Sequence, residues 1–153
     1  MKILYLEDNA LDAGLVRLEL GKRAPDIQLD VVGTLAEALE RIERFHEIYG
    51  TSLETPVIPR VGEDASPRYD LILTDLNLPD GSGRTLLARV RSQHLPLPVV
   101  VLTGASNEEV LVELLRAGAD DYITKPRVWD LASGQARQVR WCVCRASCRS
   151  SST

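Results

Sequence analysis

The chain has 153 residues, 44% of them hydrophobic and 26% charged, with a mean hydropathy of -0.07. That is the make-up of one soluble globular domain, long enough to bury most of its apolar surface without staples. Its formal charge of -4 argues against nucleic-acid binding by the whole chain, although residues 127–153 hold five Arg against a single Asp and are basic beside an acidic body.

No apolar run approaches the roughly 20 residues of a membrane span, and Glu7–Asp8 follow the short N-terminal apolar stretch too closely for a signal peptide. A cytoplasmic location without a membrane partner is the expectation. Cys142, Cys144 and Cys148 all fall near the C-terminus. With no nearby His and no fourth Cys, their spacing does not make a four-ligand metal site.

In chain order, Ile3–Leu4–Tyr5–Leu6 reads as a buried first strand ending at Glu7–Asp8–Asn9. Leu11, Leu15 and Leu18 then recur at helical spacing, and Gly21 and Pro25 are expected to stop that helix. Ile27 to Val32 alternates in part, as a strand nearer an edge does. Thr34 with Glu37 three residues on forms a capping-box pair for a second helix. Its buried stripe is expected to be Leu35, Ala38, Leu39, Ile42 and Phe45.

Residues 49–68 carry three prolines and no periodicity, so they read as a surface insertion; a partner-docking loop is the functional alternative. Leu71–Ile72–Leu73 is a strand buried on both faces, and it ends at Asp75. Leu78 to Gly83 is turn-rich and leads into a helix with Leu86, Leu87 and Val90 on one face. Pro98 to Leu102 is a further apolar strand, running into Thr103. Ser106 is expected to cap the next helix, whose stripe is Val110, Leu111, Leu114 and Leu115. Ala117–Gly118–Ala119 ends it, and Asp121–Tyr122–Ile123–Thr124 is a short strand before Lys125–Pro126. From Val128 a last helix is expected, frayed from about Cys144. Strands alternating with helices predict a parallel sheet covered on both faces.

In such a sheet the carboxyl ends of the strands meet at one rim, where ligands bind. Those ends carry Glu7–Asp8, Asp75, Thr103 and Lys125. Carboxylates brought together repel unless a cation sits among them, and a few hard oxygen donors suit Mg²⁺ better than Zn²⁺. A lysine and a hydroxyl beside them would neutralise and hydrogen-bond a phosphoryl group. The rim is therefore suited to placing phosphate on an aspartate.

Taken together and in this order, Leu6–Glu7–Asp8–Asn9, Leu73 to Gly83, Val101 to Ala105 and Asp121 to Pro126 resemble the receiver domain of bacterial two-component response regulators. The likeness covers about Lys2 to Pro126, interrupted by the 49–68 insertion. It implies a flavodoxin-like (CheY-like) fold with five parallel strands in the order 2-1-3-4-5. It implies that 1–126 is the receiver core and 127–153 a last helix and basic tail. Asp75 would be the phosphoacceptor. Asp8 would bind Mg²⁺ directly and Glu7 through water, with Asp75 and the backbone carbonyl of Asn77 as further ligands. Lys125 would pair with the phosphoryl group, and Lys125–Pro126 is similar to the family's cis peptide bond. Thr103 would follow the phosphoryl oxygens and Tyr122 would turn in behind it, switching a protein-binding face.

The partners implied are a sensor histidine kinase or histidine phosphotransfer protein, and a downstream protein or output domain. A homodimer through the face of helix 4, strand 5 and helix 5 is a further expectation. The domain would not be an enzyme beyond its own phosphorylation and dephosphorylation. Three alternatives stand beside this reading. A haloacid-dehalogenase-type phosphatase needs a second Asp two residues after the nucleophile, where this chain has Asn77. A flavodoxin would need a phosphate loop after the first strand, where Glu7–Asp8 would repel the ligand. A degenerate receiver would bind protein without being phosphorylated.

Overall fold

The structure, a computed structural model, describes residues 1–49, 69–104 and 108–125. Its frame is a five-stranded sheet of β1 (Lys2–Leu6), β2 (Gln28–Val32), β3 (Leu71–Asp75), β4 (Val99–Thr103) and β5 (Asp121–Thr124). Every pairing is parallel and the spatial order is β2-β1-β3-β4-β5. This is the doubly wound order that the resemblance implies, with β2 at one edge. Four helices connect the strands: α1 (Ala10–Arg23), α2 (Leu35–Tyr49), α3 (Gly83–Ser92) and α4 (Glu108–Arg116). A two-residue hairpin, Asn77–Leu78 against Gly81–Ser82, follows β3.

Because side chains alternate along a strand, each central strand feeds two cores. Leu4, Leu6, Ile72, Val99 and Val101 pack against Leu35, Ala38 and Ile42 of α2, Leu86, Leu87 and Val90 of α3, and Leu114 of α4. Ile3, Tyr5, Leu71, Leu73, Val100, Leu102 and Ile123 face the other way, toward Ala13 and Val16 of α1. Burial on both faces is why β1, β3 and β4 read as unbroken apolar runs.

Three expectations change. Helix α1 runs through Gly21 to Arg23, and its inward face is Ala13, Val16 and Leu20; Leu11 and Leu18 are 78% and 54% exposed. The stripe of Leu11 and Leu18 is set off around the helix from the stripe of Ala13, Val16 and Leu20 that turns inward. In α4, Leu111 and Leu114 are buried but Leu115 lies on the outer side. At α2, Thr34 Oγ1 accepts from the Glu37 N–H at 3.2 Å, while the Glu37 carboxylate reaches the N–H of Gly33 at 3.1 Å instead of that of Thr34.

Helix α4 ends at Ala117–Gly118, where Gly118 has φ +100°, a left-handed conformation that glycine adopts without strain. The Gly50–Arg68 part of the insertion, the Ser106 cap, Ala105, the Lys125–Pro126 bond, the tail with its cysteines and the Phe45 side chain lie outside the described residues.

Candidate functional site

Register brings the rim together. Tyr5 of β1 pairs with Leu73 of β3 and Leu6 with Thr74, so Glu7 emerges level with Asp75. Asp75 lies opposite Leu102 of β4, and Leu102 opposite Ile123 of β5, which places Thr103 and Lys125 just beyond. The Lys125 N–H donates to the Thr103 carbonyl at 2.7 Å, fastening the end of β5 to that of β4. Residues up to 118 positions apart in sequence therefore share one pocket.

The lysine is the centre of that pocket. Its ammonium donates to Glu7 Oε2 at 2.6 Å and to Asp75 Oδ2 at 2.8 Å, with Asp12 Oδ2 at 3.5 Å. Burial pushes the ammonium's pKa down, but hydrogen bonds to Asp75 and Glu7 and the attraction of both carboxylates outweigh it, holding the pKa above the ordinary lysine value. Lys125 is charged throughout the physiological range.

Glu7, Asp8 and Asp75 each present an oxygen within 4.8 Å of the others. Glu7 is buried, Asp75 half-buried and Asp8 exposed. Three carboxylates, Glu7, Asp75 and Asp12, lie against the ammonium and Asp8 adds a fourth at the rim, which leaves room in the charge balance for a divalent cation. An all-oxygen donor set that opens to solvent through Asp8 fits Mg²⁺ or a similar hard ion.

The loop after Asp75 is shaped to keep that residue in place. The Asn77 N–H approaches Asp75 Oδ1 at 3.5 Å, and the Gly83 N–H donates to the Leu76 carbonyl at 3.0 Å. Ser82 caps α3, its hydroxyl accepting from the Arg84 N–H and donating to the Leu76 carbonyl. Gly83 must be glycine: a Cβ there would lie 2.5 Å from the Asp75 carbonyl oxygen and 3.1 Å from Thr74 Oγ1. Across the loop, the Asp80 carboxylate accepts from the N–H groups of Leu35 and Ala36 at 2.7 and 2.9 Å, tying it to the start of α2.

The rim thus gathers Glu7, Asp8, Asp75 and Lys125, and Thr103 is buried at the end of the neighbouring strand β4. Asn77 is exposed at the loop, and Tyr122 is half-buried on β5 opposite Val101, its side chain on the same face of the sheet as Thr103. Two participants escaped the sequence reading. Asp12 lies in the first turn of α1, one helical turn on from Asp8, and reads as an ordinary polar residue. Tyr5 reads as a core aromatic; its hydroxyl donates to Glu7 Oε2 at 3.2 Å. Its position two residues before Glu7, which follows the end of β1, was the available signal.

A sequence profile of the response regulator receiver domain matches residues 30–132. The chain belongs to the response regulator receiver domain family. Among curated relatives, the two-component response regulator PhoP of Pseudomonas aeruginosa is 34% identical over 126 residues, covering 82% of this chain and 45% of that protein. The chain thus spans less than half the length of that relative. Among solved structures, the BeF3-activated N-terminal receiver domain of Klebsiella pneumoniae RstA is 26% identical, with a TM-score of 0.67 over 94% of this chain and 98% of that one. The Mn(2+)-bound form of response regulator Rcp1 is 27% identical, with a TM-score of 0.67 over 90% of each chain. The profile match begins at Asp30, after Glu7 and Asp8, whose place at the rim rests on the geometry above. Among the described residues, no helix is long and apolar enough to cross a membrane.

Proposed function

We propose that this receiver domain takes a phosphoryl group onto Asp75 and thereby switches a protein-binding face. The observation that carries the reading is the Lys125 ammonium held between Asp75 and Glu7, beside three carboxylates close enough to share a cation. The donor is the phosphohistidine of a sensor kinase or phosphotransfer protein, by analogy with two-component relatives such as PhoP. Mg²⁺ is the expected cation; Glu7, Asp8 and Asp75, with the Asn77 carbonyl, would hold it, and it would neutralise charge on the transferring group. That response regulator Rcp1, similar in fold and sequence, has a Mn(2+)-bound form supports a divalent ion in this reading.

In the transfer, an Asp75 carboxylate oxygen attacks phosphorus, the P–N bond to histidine breaks, and the imidazole leaves. Lys125 keeps its hold at the same rim and pairs with the phosphoryl oxygens. The new group adds about -1.5 to -2 charge there. Thr103 turns its hydroxyl toward it, and the space behind admits the Tyr122 ring, biasing the surface around α4 and β5. On this reading residues 1–126 form the receiver core, 127–153 add a last helix and tail, and the domain catalyses only its own modification.

Acetyl phosphate with Mg²⁺ tests this, read by intact mass on wild type and Asp75→Asn. One phosphate adduct, absent from the variant, is expected. Wild type without an adduct, at saturating Mg²⁺, would overturn it and leave a protein-binding module that is not phosphorylated.

A further inference from the structure

We infer that Tyr5 is a positioning residue for the rim, its phenol holding Glu7 in place while Lys125 changes partners. The inference rests on the Mg²⁺-dependent receiver reading above. Tyr5 is fully buried in the core layer facing α1, among Ile3, Leu71, Leu73 and Val100. An apolar ring would fill that space equally well, so packing alone leaves the hydroxyl unexplained. Among the described residues, its proton goes to Glu7 Oε2.

Glu7 is fastened from three directions. The Asn9 N–H donates to Oε1 at 3.2 Å, the Tyr5 hydroxyl to Oε2 at 3.2 Å, and the Lys125 ammonium to Oε2 at 2.6 Å. Of these, the lysine bond is the one that must change. The same ammonium holds Asp75 Oδ2, and it turns to the phosphoryl oxygens once Asp75 is modified. Glu7 then keeps a backbone donor from the loop and one side-chain donor, Tyr5. A phenol inside a central strand cannot follow the lysine, so it keeps the carboxylate facing the cation and its water. This is the role of groups that orient metal ligands from behind, whose removal costs on the order of 10-fold in affinity.

Tyr5→Phe removes the hydroxyl and leaves the ring. Mg²⁺ binding is measured by calorimetric titration of the full chain, independently of phosphoryl transfer, alongside acetyl phosphate kinetics and urea unfolding. The expected result is a Mg²⁺ dissociation constant raised about 10-fold. The half-saturating Mg²⁺ for adduct formation should rise in step, and the rate at saturating Mg²⁺ should change much less. On a Glu7→Ala background the Tyr5→Phe change should have no effect on Mg²⁺ binding, since the carboxylate it positions is gone. A wild-type dissociation constant in Tyr5→Phe, with only the unfolding midpoint lowered, would overturn the inference. So would an equal loss of Mg²⁺ affinity on both backgrounds. Wild type that binds Mg²⁺ but takes no phosphate sinks the phosphoacceptor reading alone, and Tyr5 is then judged on the titration. Wild type that binds no Mg²⁺ overturns both.

Discussion

At the scale of single residues, the rim is an electrostatic problem that Lys125 solves. Glu7, Asp8 and Asp75 crowd within 4.8 Å, and the one ammonium among them touches two. Replacing it by methionine removes the countercharge, takes the ammonium donor from Asp75 Oδ2 and leaves Glu7 Oε2 with the Tyr5 hydroxyl. Lys125→Met should lose about 1–3 kcal/mol of stability in EDTA, read by urea unfolding, and recover part of it in Mg²⁺. Adduct formation with acetyl phosphate should slow about 100-fold, the usual scale for losing one preorganised charge partner. The lifetime of the acyl phosphate depends on other positions. In the receiver family the residue two after the rim threonine flanks the path of the hydrolytic water. In this sequence that is Ala105, which has no polar group to orient it. Loss of the phosphate from the isolated domain should therefore take minutes or longer by intact mass. Decay within seconds would contradict it. Glu7, Asp75, Thr103 and Lys125 could be picked out before the structure because each stands where an apolar run gives out. Tyr5 and Asp12 stood out far less. A phenol inside a strand and an acid in a first turn each have an ordinary explanation, and only the fold brings both to the lysine and its carboxylate.

At the scale of elements, the loop between β3 and α3 is held by contacts from both sides. Gly83 lets α3 begin against the backbone of Asp75. Gly83→Ala should cost about 1–3 kcal/mol, because carbonyl oxygen and strand side chain there have nowhere to yield; a urea midpoint equal to wild type would show that they do. On the other side Asp80 binds the first turn of α2. The Leu35 N–H, then that of Ala36, hold its carboxyl below its ordinary value of 3.8. A depressed pKa in the folded state means stabilisation that is complete above the unfolded value and fades as pH falls through the folded one. The stability gap between wild type and Asp80→Asn should therefore be constant above roughly pH 5 and close below pH 3.8 in urea titrations. A gap independent of pH would mean that charge is irrelevant to the contact. Nearly all of the sheet was legible, since strands buried on both faces spell themselves out as Leu, Ile and Val. The leucines of α1 were misleading for a related reason. Periodicity identifies a helix, but it does not say which of two neighbouring stripes turns inward, and here Ala13, Val16 and Leu20 do.

At the scale of the molecule, folding gathers like charge at one end of the sheet, and the Lys125 ammonium offsets only part of it. An unfolded chain keeps those carboxylates apart. A divalent cation at the rim should therefore bind the folded state in strong preference to the unfolded one, and mass action then ties global stability to Mg²⁺. The unfolding free energy should climb with the logarithm of Mg²⁺ concentration, reaching about 2.7 kcal/mol above the metal-free value at a hundredfold excess over the dissociation constant. Asp8→Asn, exposed and outside both cores, should fold as well as wild type in EDTA and lose most of that climb. Asp75→Asn should behave differently. It removes a like charge from the rim, so it should be no less stable than wild type without metal and should gain less with it. Urea unfolding across a Mg²⁺ series separates the two, and a general ionic-strength effect is removed by holding total salt constant, since screening acts on all exposed pairs alike. Parallel curves for wild type and both variants would mean that no specific cation site exists at the strand ends, whatever the carboxylate distances.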